Sequence, residues 1–242
     1  MIALIPAKGT SVRIPGKNLK PLKGHPLLAY TIAACIKSGV FEDVYVAGDI
    51  EEIVKVAEHY GAKGILRPLS LPEERDIEWV QHCLRSLSRH DIKPEDYAIV
   101  RCTSPFRSFK DIREASRLWN QAKKKGFTSL RAVEACSQHP AKMWKRMPDG
   151  QIVPVLLQPP VEWHDSPYQS LPDVYIQNAS MEMSMASVAM SGSISGTKVY
   201  GYLATGEAGF DLNYPYDWQA AEAKIFLGEA QLPKVTHAPW QT

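Results

Sequence analysis

Four cations crowd into thirteen residues near the N-terminus: Lys8, Arg13, Lys17 and Lys20. Gly9, Thr10, Ser11 and Asn18 lie between them, so the segment offers backbone N–H groups, hydroxyls and positive charge together. That set suits a polyphosphate, because amides and hydroxyls donate hydrogen bonds while cations neutralise charge. The G-x-x-x-x-G-K-[ST] spacing of a Walker A loop is absent. A solvated basic loop is the plain alternative. Further along, Thr103 and Ser104 precede Pro105, which fixes a turn, with Arg101 and Arg107 on either side. Asp211 and Asn213 stand at i and i+2; on an extended segment they project to one side and can share a divalent cation. Asp49 closes the small-residue run Val44–Asp49, either beside a ligand or as a helix N-cap. His25, His139 and His164 have no metal-ligand spacing and are read as incidental.

These groups need elements to hold them. The apolar run Met1–Pro6 reads as a buried parallel strand. Helical spacing predicts helices over Pro26–Ser38, Ile50–Tyr60, Ile77–Arg89 and Phe109–Lys125, with Gly39 and Gly61 as stops. Short strands are predicted at Asp43–Ala47, Lys63–Leu66, Tyr97–Cys102 and Ser129–Ala132. This alternation argues for an open, mostly parallel α/β sheet, in which ligands sit at the carboxyl ends of the strands. The rhythm stops from Cys136 to about Gly196, a stretch holding Pro140, Pro148, Pro154, Pro159, Pro160, Pro167 and Pro172. It reads as an inserted arm that covers a substrate and contacts a second subunit, because long structureless loops are uncommon in compact domains. Thr197–Leu203 returns as a strand and Trp218–Leu227 as a closing helix. The expected division is therefore an α/β domain of residues 1–135 and 197–242, with an arm of 136–196.

The chain of 242 residues is long enough for one domain with a subdomain. A formal net charge of +2 gives no general case for nucleic-acid or membrane binding, so an anion site must be local. Cys35, Cys83, Cys102 and Cys136 are widely spaced, with no C-x-x-C pair, and are expected as reduced thiols. Pro6 and Lys8 interrupt the first apolar run, so no signal peptide is read there and a cytoplasmic protein is expected.

The N-terminal segment resembles the signature of the acylneuraminate cytidylyltransferase family, the CMP-sialic acid synthetases and their relatives for other sugar acids. Pro6, Ala7, Gly9, Ser11, Arg13, Ile14, Pro15, Gly16, Lys17, Asn18 and Leu19 carry the match. It continues through Leu66-Arg67-Pro68, through Thr103-Ser104-Pro105 with Arg107, and through Phe210-Asp211-Leu212-Asn213. The chain departs from the family at several places, among them Cys102 where the family has proline. Val12 stands for a loop lysine, Arg101 for glutamine, Asn213 for a second aspartate, and the segment around Gln177-Asn178-Ala179 is altered.

The resemblance implies a Rossmann-like nucleotidyltransferase fold, with attack by a sugar acid's anomeric hydroxyl on the α-phosphorus of CTP and release of pyrophosphate. It implies Arg13, Lys17 and Asp211 as catalytic groups. Lys8, Gly9, Ser11, Asn18, Asp49, Arg67, Arg101, Thr103 and Ser104 are expected on the nucleotide. Arg67 is equally open to a structural ion pair, and Arg107 either holds a carboxylate or braces its loop. Arg107, Gln177 and Asn178 are expected near the acceptor, and Asp211 with Asn213 on Mg²⁺. Asp217 is expected as a helix N-cap, and the run Met181–Met185 as core or dimer surface. A homodimer is implied as well. Two other readings stay open: another nucleotide or acceptor, such as KDO or a phosphorylated sugar, and a non-catalytic nucleotide-binding homologue.

Overall fold

The computed structural model describes residues 1–69, 73–156 and 163–241. Its chain order is β1 (Ile2–Ala7), β2 (Pro21–Leu22), β3 (His25–Pro26), α1 (Leu27–Ser38), β4 (Val44–Gly48), α2 (Glu51–His59), β5 (Lys63–Leu66), α3 (Asp76–Ser88), β6 (Asp96–Val100), α4 (Phe109–Lys124) and β7 (Ser129–Ala135). It continues with β8 (Trp144–Arg146), β9 (Ile152–Pro154), β10 (Tyr175–Met185), α5 (Ala186–Met190), β11 (Val199–Leu203) and α6 (Pro215–Leu227). Seven strands form one sheet in the order β11-β7-β10-β6-β1-β4-β5. All neighbours run parallel except β10, which is antiparallel to both β6 and β7.

Period-two alternation sorts each strand onto two apolar layers. Ala3, Ile5, Val46 and Val100 face one layer, where α1, α2, α4 and α6 contribute Leu28, Val56, Trp119 and Trp218. Ile2, Leu4, Tyr45 and Ile99 face the other, covered by Val80 and Leu84 of α3. The sheet is thus wound on both sides, and its strands read as continuous apolar runs for that reason. Local signals stop and start the helices where the chain needs them. Gly39 takes the left-handed conformation after α1 (φ 63°), and Ser108 with Asp111 forms a capping box at the start of α4.

The segment 136–196, expected as an arm, divides in two. The β8–β9 hairpin pairs only with itself and leaves Met143, Trp144, Ile152 and Val155 exposed. Residues 157–162, which include Pro159 and Pro160, lie outside the described residues. By contrast, β10 is an interior strand of the main sheet. Met181 and Met183 are fully buried on one face and Glu182 points to the other, so the Met-rich run is core. No helix among the described residues is long and apolar enough to cross a membrane. All four cysteines are free thiols.

Candidate active site

The strand order places the site. From β1 the chain runs to β4 and β5 on one side, then returns to lay β6 on the other side of β1. The carboxyl ends of β1 and β6 therefore flank a topological switch point, where such sheets bind ligands. The basic loop leaves β1 there, and the Arg101–Arg107 turn leaves β6 there. Because β10 is antiparallel, its first residues reach past the end of β6, bringing Gln177 and Asn178 to the same place. The ladder shifts register between Gln177 and Glu182, and such irregularities re-aim side chains beside functional sites.

A cavity of about 990 Å³ opens at this point. Lys8, Ser11, Arg13, Lys17 and Asn18 line one side of it. Thr103, Asp211, Asn213, Gln177, Asn178 and Glu134 also line it. Arg101 also borders it. Gly9 is held just behind. Its N–H donates to Asp49 Oδ1 at 2.6 Å, and a Cβ at this position would lie 2.6 Å from Ile50 Cδ1. Glycine lets the loop sit that close. Asp49 thus tethers the loop, while the N-cap position of α2 falls to Ile50, with no side-chain cap. Asn18 Nδ2 donates to the Lys8 carbonyl at 3.0 Å and closes the loop on itself.

Lys17 is the most enclosed of the loop cations. Its ammonium donates to the Leu212 carbonyl, and burial pulls its pKa below the usual lysine value, with Asp211 opposing that shift and Arg13 adding to it. The Leu212 N–H in turn donates to the Thr103 carbonyl at 2.8 Å. One hydrogen-bonded chain therefore ties the basic loop, the Asp211 segment and the turn after β6. Arg13 lies over the Tyr214 ring at 5.1 Å, and Tyr214 stacks on Tyr216 at 5.2 Å.

Asp211 Oδ1 is buried and has no hydrogen-bond partner among the described residues. Its other oxygen accepts from Asn213 Nδ2 at 2.6 Å. An unsatisfied buried carboxylate oxygen beside a second oxygen-bearing side chain fits a hard divalent cation completed by phosphate oxygens and water. No cluster of three or more His, Cys, Asp or Glu side chains with metal-binding geometry occurs among the described residues. Asp217 is in the first turn of α6 rather than at its cap; its carboxylate accepts from the N–H groups of Asn213 (2.8 Å) and Tyr214 (2.7 Å).

Three arginines expected to touch ligand are occupied by the protein. Arg67 is buried in an ion pair with Glu74 at 2.8 Å and donates to the Ala47 carbonyl, the structural alternative left open by the sequence. Arg107 is 1% exposed and stands away from the cavity. It donates to the carbonyls of Ser180 (2.6 Å) and Arg101 (2.9 Å) and to Thr31 Oγ1 (3.2 Å), so it braces the turn. Arg101 faces the cavity but is shared between Asp76 (2.5 Å) and Glu182 (3.2 Å), which compensates its charge. Thr103 lines the cavity and Ser104 does not, and the hydroxyls of both are buried without a hydrogen-bond partner among the described residues. The sequence reading missed Asp76, Arg131, Glu134, Glu182, Glu207 and Lys224, all of which line the cavity. The alternation in Met181-Glu182-Met183-Ser184-Met185 is the signal that would have placed Glu182 on a strand.

A doubly wound sheet with a charged cavity at its switch point is the arrangement in which α/β proteins bind ligands. A family model described as Cytidylyltransferase matches residues 2–143, and the chain belongs to that family of CTP-dependent nucleotidyltransferase enzymes. The N-acylneuraminate cytidylyltransferase of Escherichia coli O18:K1:H7 is 38% identical over 126 residues, covering 51% of this chain and 29% of that protein. The CMP-N,N'-diacetyllegionaminic acid synthase of Legionella pneumophila is 29% identical over 247 residues, covering 96% of this chain and 99% of that protein. N-acylneuraminate cytidylyltransferase A of Danio rerio is 30% identical and covers 92% of this chain. The chain spans about half the length of the zebrafish protein and less than a third of the E. coli one. A CMP:2-keto-3-deoxy-manno-octonic acid synthetase solved with CTP has a similar fold (TM-score 0.65, 14% identity, 94% of this chain and 98% of that one).

Proposed function

We propose that this protein transfers the cytidylyl group of CTP to the hydroxyl of a sialic acid-like sugar acid and releases pyrophosphate. The observation that carries the reading is the joining of Lys17, Leu212 and Thr103 by hydrogen bonds, which sets loop cations and the Asp211 carboxylate on one cavity. Lys8, Ser11, Arg13 and Lys17 would hold the triphosphate, with the tethered Gly9 amide region behind them. Asp211, with Asn213, would hold Mg²⁺, which when bound neutralises charge on the phosphates that would repel an incoming oxygen. The protein's own work is to orient the reactants and to place positive charge where it develops on the leaving pyrophosphate. Gln177, Asn178 and Glu134 would face the acceptor.

A second copy of the chain is proposed to pack against the β8–β9 hairpin, whose exposed Trp144, Ile152 and Val155 suit a subunit contact. A cytoplasmic location goes with that reading. The test is pyrophosphate release with CTP, Mg²⁺ and a panel that includes N-acetylneuraminate, N,N'-diacetyllegionaminate and KDO. Turnover with CTP and one sialic acid-like acceptor supports the proposal. CTP binding without release on any acceptor supports the non-catalytic alternative, and turnover with KDO alone supports the other acceptor class.

A further inference from the structure

A line of charged side chains crosses the wall of the cavity. Asp76, at the start of α3, holds Arg101 by both carboxylate oxygens (3.3 and 2.5 Å). Arg101 donates to Glu182 Oε1 at 3.2 Å, and Arg131 of β7 donates to Glu182 Oε2 at 2.7 Å. The second arm of the Arg131 fork donates to Gln177 Oε1. Ser195 Oγ also contacts Arg131, at 2.9 Å. Glu182 and Arg101 are largely shielded from solvent, whereas Gln177 is exposed at the cavity.

Two consequences follow from this arrangement. First, two guanidinium groups face two carboxylates, so the wall carries no net charge and does not draw an anion. Second, with its carbonyl oxygen turned to Arg131, the Gln177 carboxamide is held in one orientation, with its NH₂ on the side away from the guanidinium. A carboxamide free to flip presents either a donor or an acceptor, and a fixed one presents a single pattern.

We propose that Arg131 is a positioning residue, anchored by Glu182 and Arg101, that locks Gln177 with its NH₂ toward the cavity to donate to a neutral oxygen of the acceptor, an acyl carbonyl or hydroxyl rather than its carboxylate. The identity of the acceptor as a sugar acid rests on the function proposed above; the locking of Gln177 does not.

The test therefore has two arms. In the first, ¹⁵N relaxation of the Gln177 side-chain NH₂ is measured in the full chain and in Arg131→Lys, which keeps the charge against Glu182 but lacks the fork. The expected result is a rigid NH₂ that becomes mobile in the variant; equal mobility in both overturns the proposal. In the second, KM for N-acetylneuraminate and for CTP is measured for Arg131→Lys, Gln177→Ala and the double variant. The expectation is a roughly tenfold rise in acceptor KM for each single variant, no further rise in the double variant, and an unchanged KM for CTP. Effects that multiply in the double variant, or a matching rise in KM for CTP, overturn it. If the parent chain turns over no acceptor, the proposed function has failed, and the relaxation arm still decides whether Arg131 locks Gln177.

Discussion

On the proposed function, Gly209→Ala is expected to separate acceptor from nucleotide recognition with a single methyl group. A Cβ built at Gly209 lies 2.5 Å from Glu134 Oε2 and 2.8 Å from Asn178 Nδ2. Ordinary contact needs roughly 3.5 Å, so the carboxylate and the amide must each retreat by nearly 1 Å. Both atoms are the ends of side chains, so the fold absorbs the change at little cost. The site does not, because Asn178 Nδ2 donates to Glu134 Oε2 at 3.2 Å and Asn178 Oδ1 accepts from the Ser180 N–H at 3.3 Å. Loss of one hydrogen bond between the acceptor and a displaced Glu134 or Asn178 costs about 1.5 kcal/mol or more, which corresponds to roughly tenfold in KM. Steady-state pyrophosphate release with each substrate varied in turn measures this. The expected outcome is a tenfold higher KM for the acceptor, with KM for CTP and the melting temperature unchanged. A rise in KM for CTP as large as that for the acceptor would refute the assignment of Glu134 and Asn178 to the acceptor side.

Three other substitutions test the remaining assignments. Arg107→Ala removes three hydrogen bonds and opens a cavity in the core, so stability should fall by about 3–5 kcal/mol, or roughly 10 °C in melting temperature for a chain of this size; an unchanged melting temperature with a raised acceptor KM would return Arg107 to a binding role. Asp211→Asn keeps the shape but removes the charge, so kcat/KM should fall by about a hundredfold or more and the Mg²⁺ concentration for half-maximal activity should rise; a full rate at the original Mg²⁺ concentration would refute the metal role. Burial lowers the Lys17 pKa from 10.5, so kcat/KM for CTP should decline on the alkaline side before an ordinary lysine would titrate, and Lys17→Arg should remove that decline. The effect on stability has the opposite sign: within that window the unfolded chain binds more protons than the folded one, so this group's contribution to stability rises with pH.

The parts of the fold set by local pattern were legible. Lys63–Leu66 is a strand with the bounds its sequence suggested, α1 ends at Gly39, and α4 begins at the Ser108 cap. The strand β10 was not read as part of the sheet. Its alternation lies inside a proline-rich stretch, and pairing between residues some eighty positions apart leaves no mark in a local window. The same limit applies to the arginines. Arg67, Arg101 and Arg107 look equivalent in sequence, yet each finds a different partner: Glu74 seven residues on, Asp76 and Glu182 from two other elements, and main-chain carbonyls. A sequence shows where a guanidinium is, but only the fold shows whether a carboxylate has already neutralised it.

That distinction bears on the most unusual feature of the loop, the valine at position 12. Arg101, Arg13 and Lys8 line the cavity and are the candidates to supply the charge of a lysine at that position. Arg101 faces two carboxylates, so a phosphate approaching it would meet a guanidinium whose charge Asp76 and Glu182 already compensate. Lys8 lies 3.7 Å from Glu74, which also holds Arg67. Arg13 is next to Val12 in the chain and has an aromatic face behind it, a contact that restrains a guanidinium without consuming its hydrogen-bond donors. Val12 itself is 88% exposed and packs against nothing that a lysine would disturb. On the proposed function, the charge given up at position 12 would be met most directly one residue on, by Arg13 held against Tyr214 on the lining of the cavity.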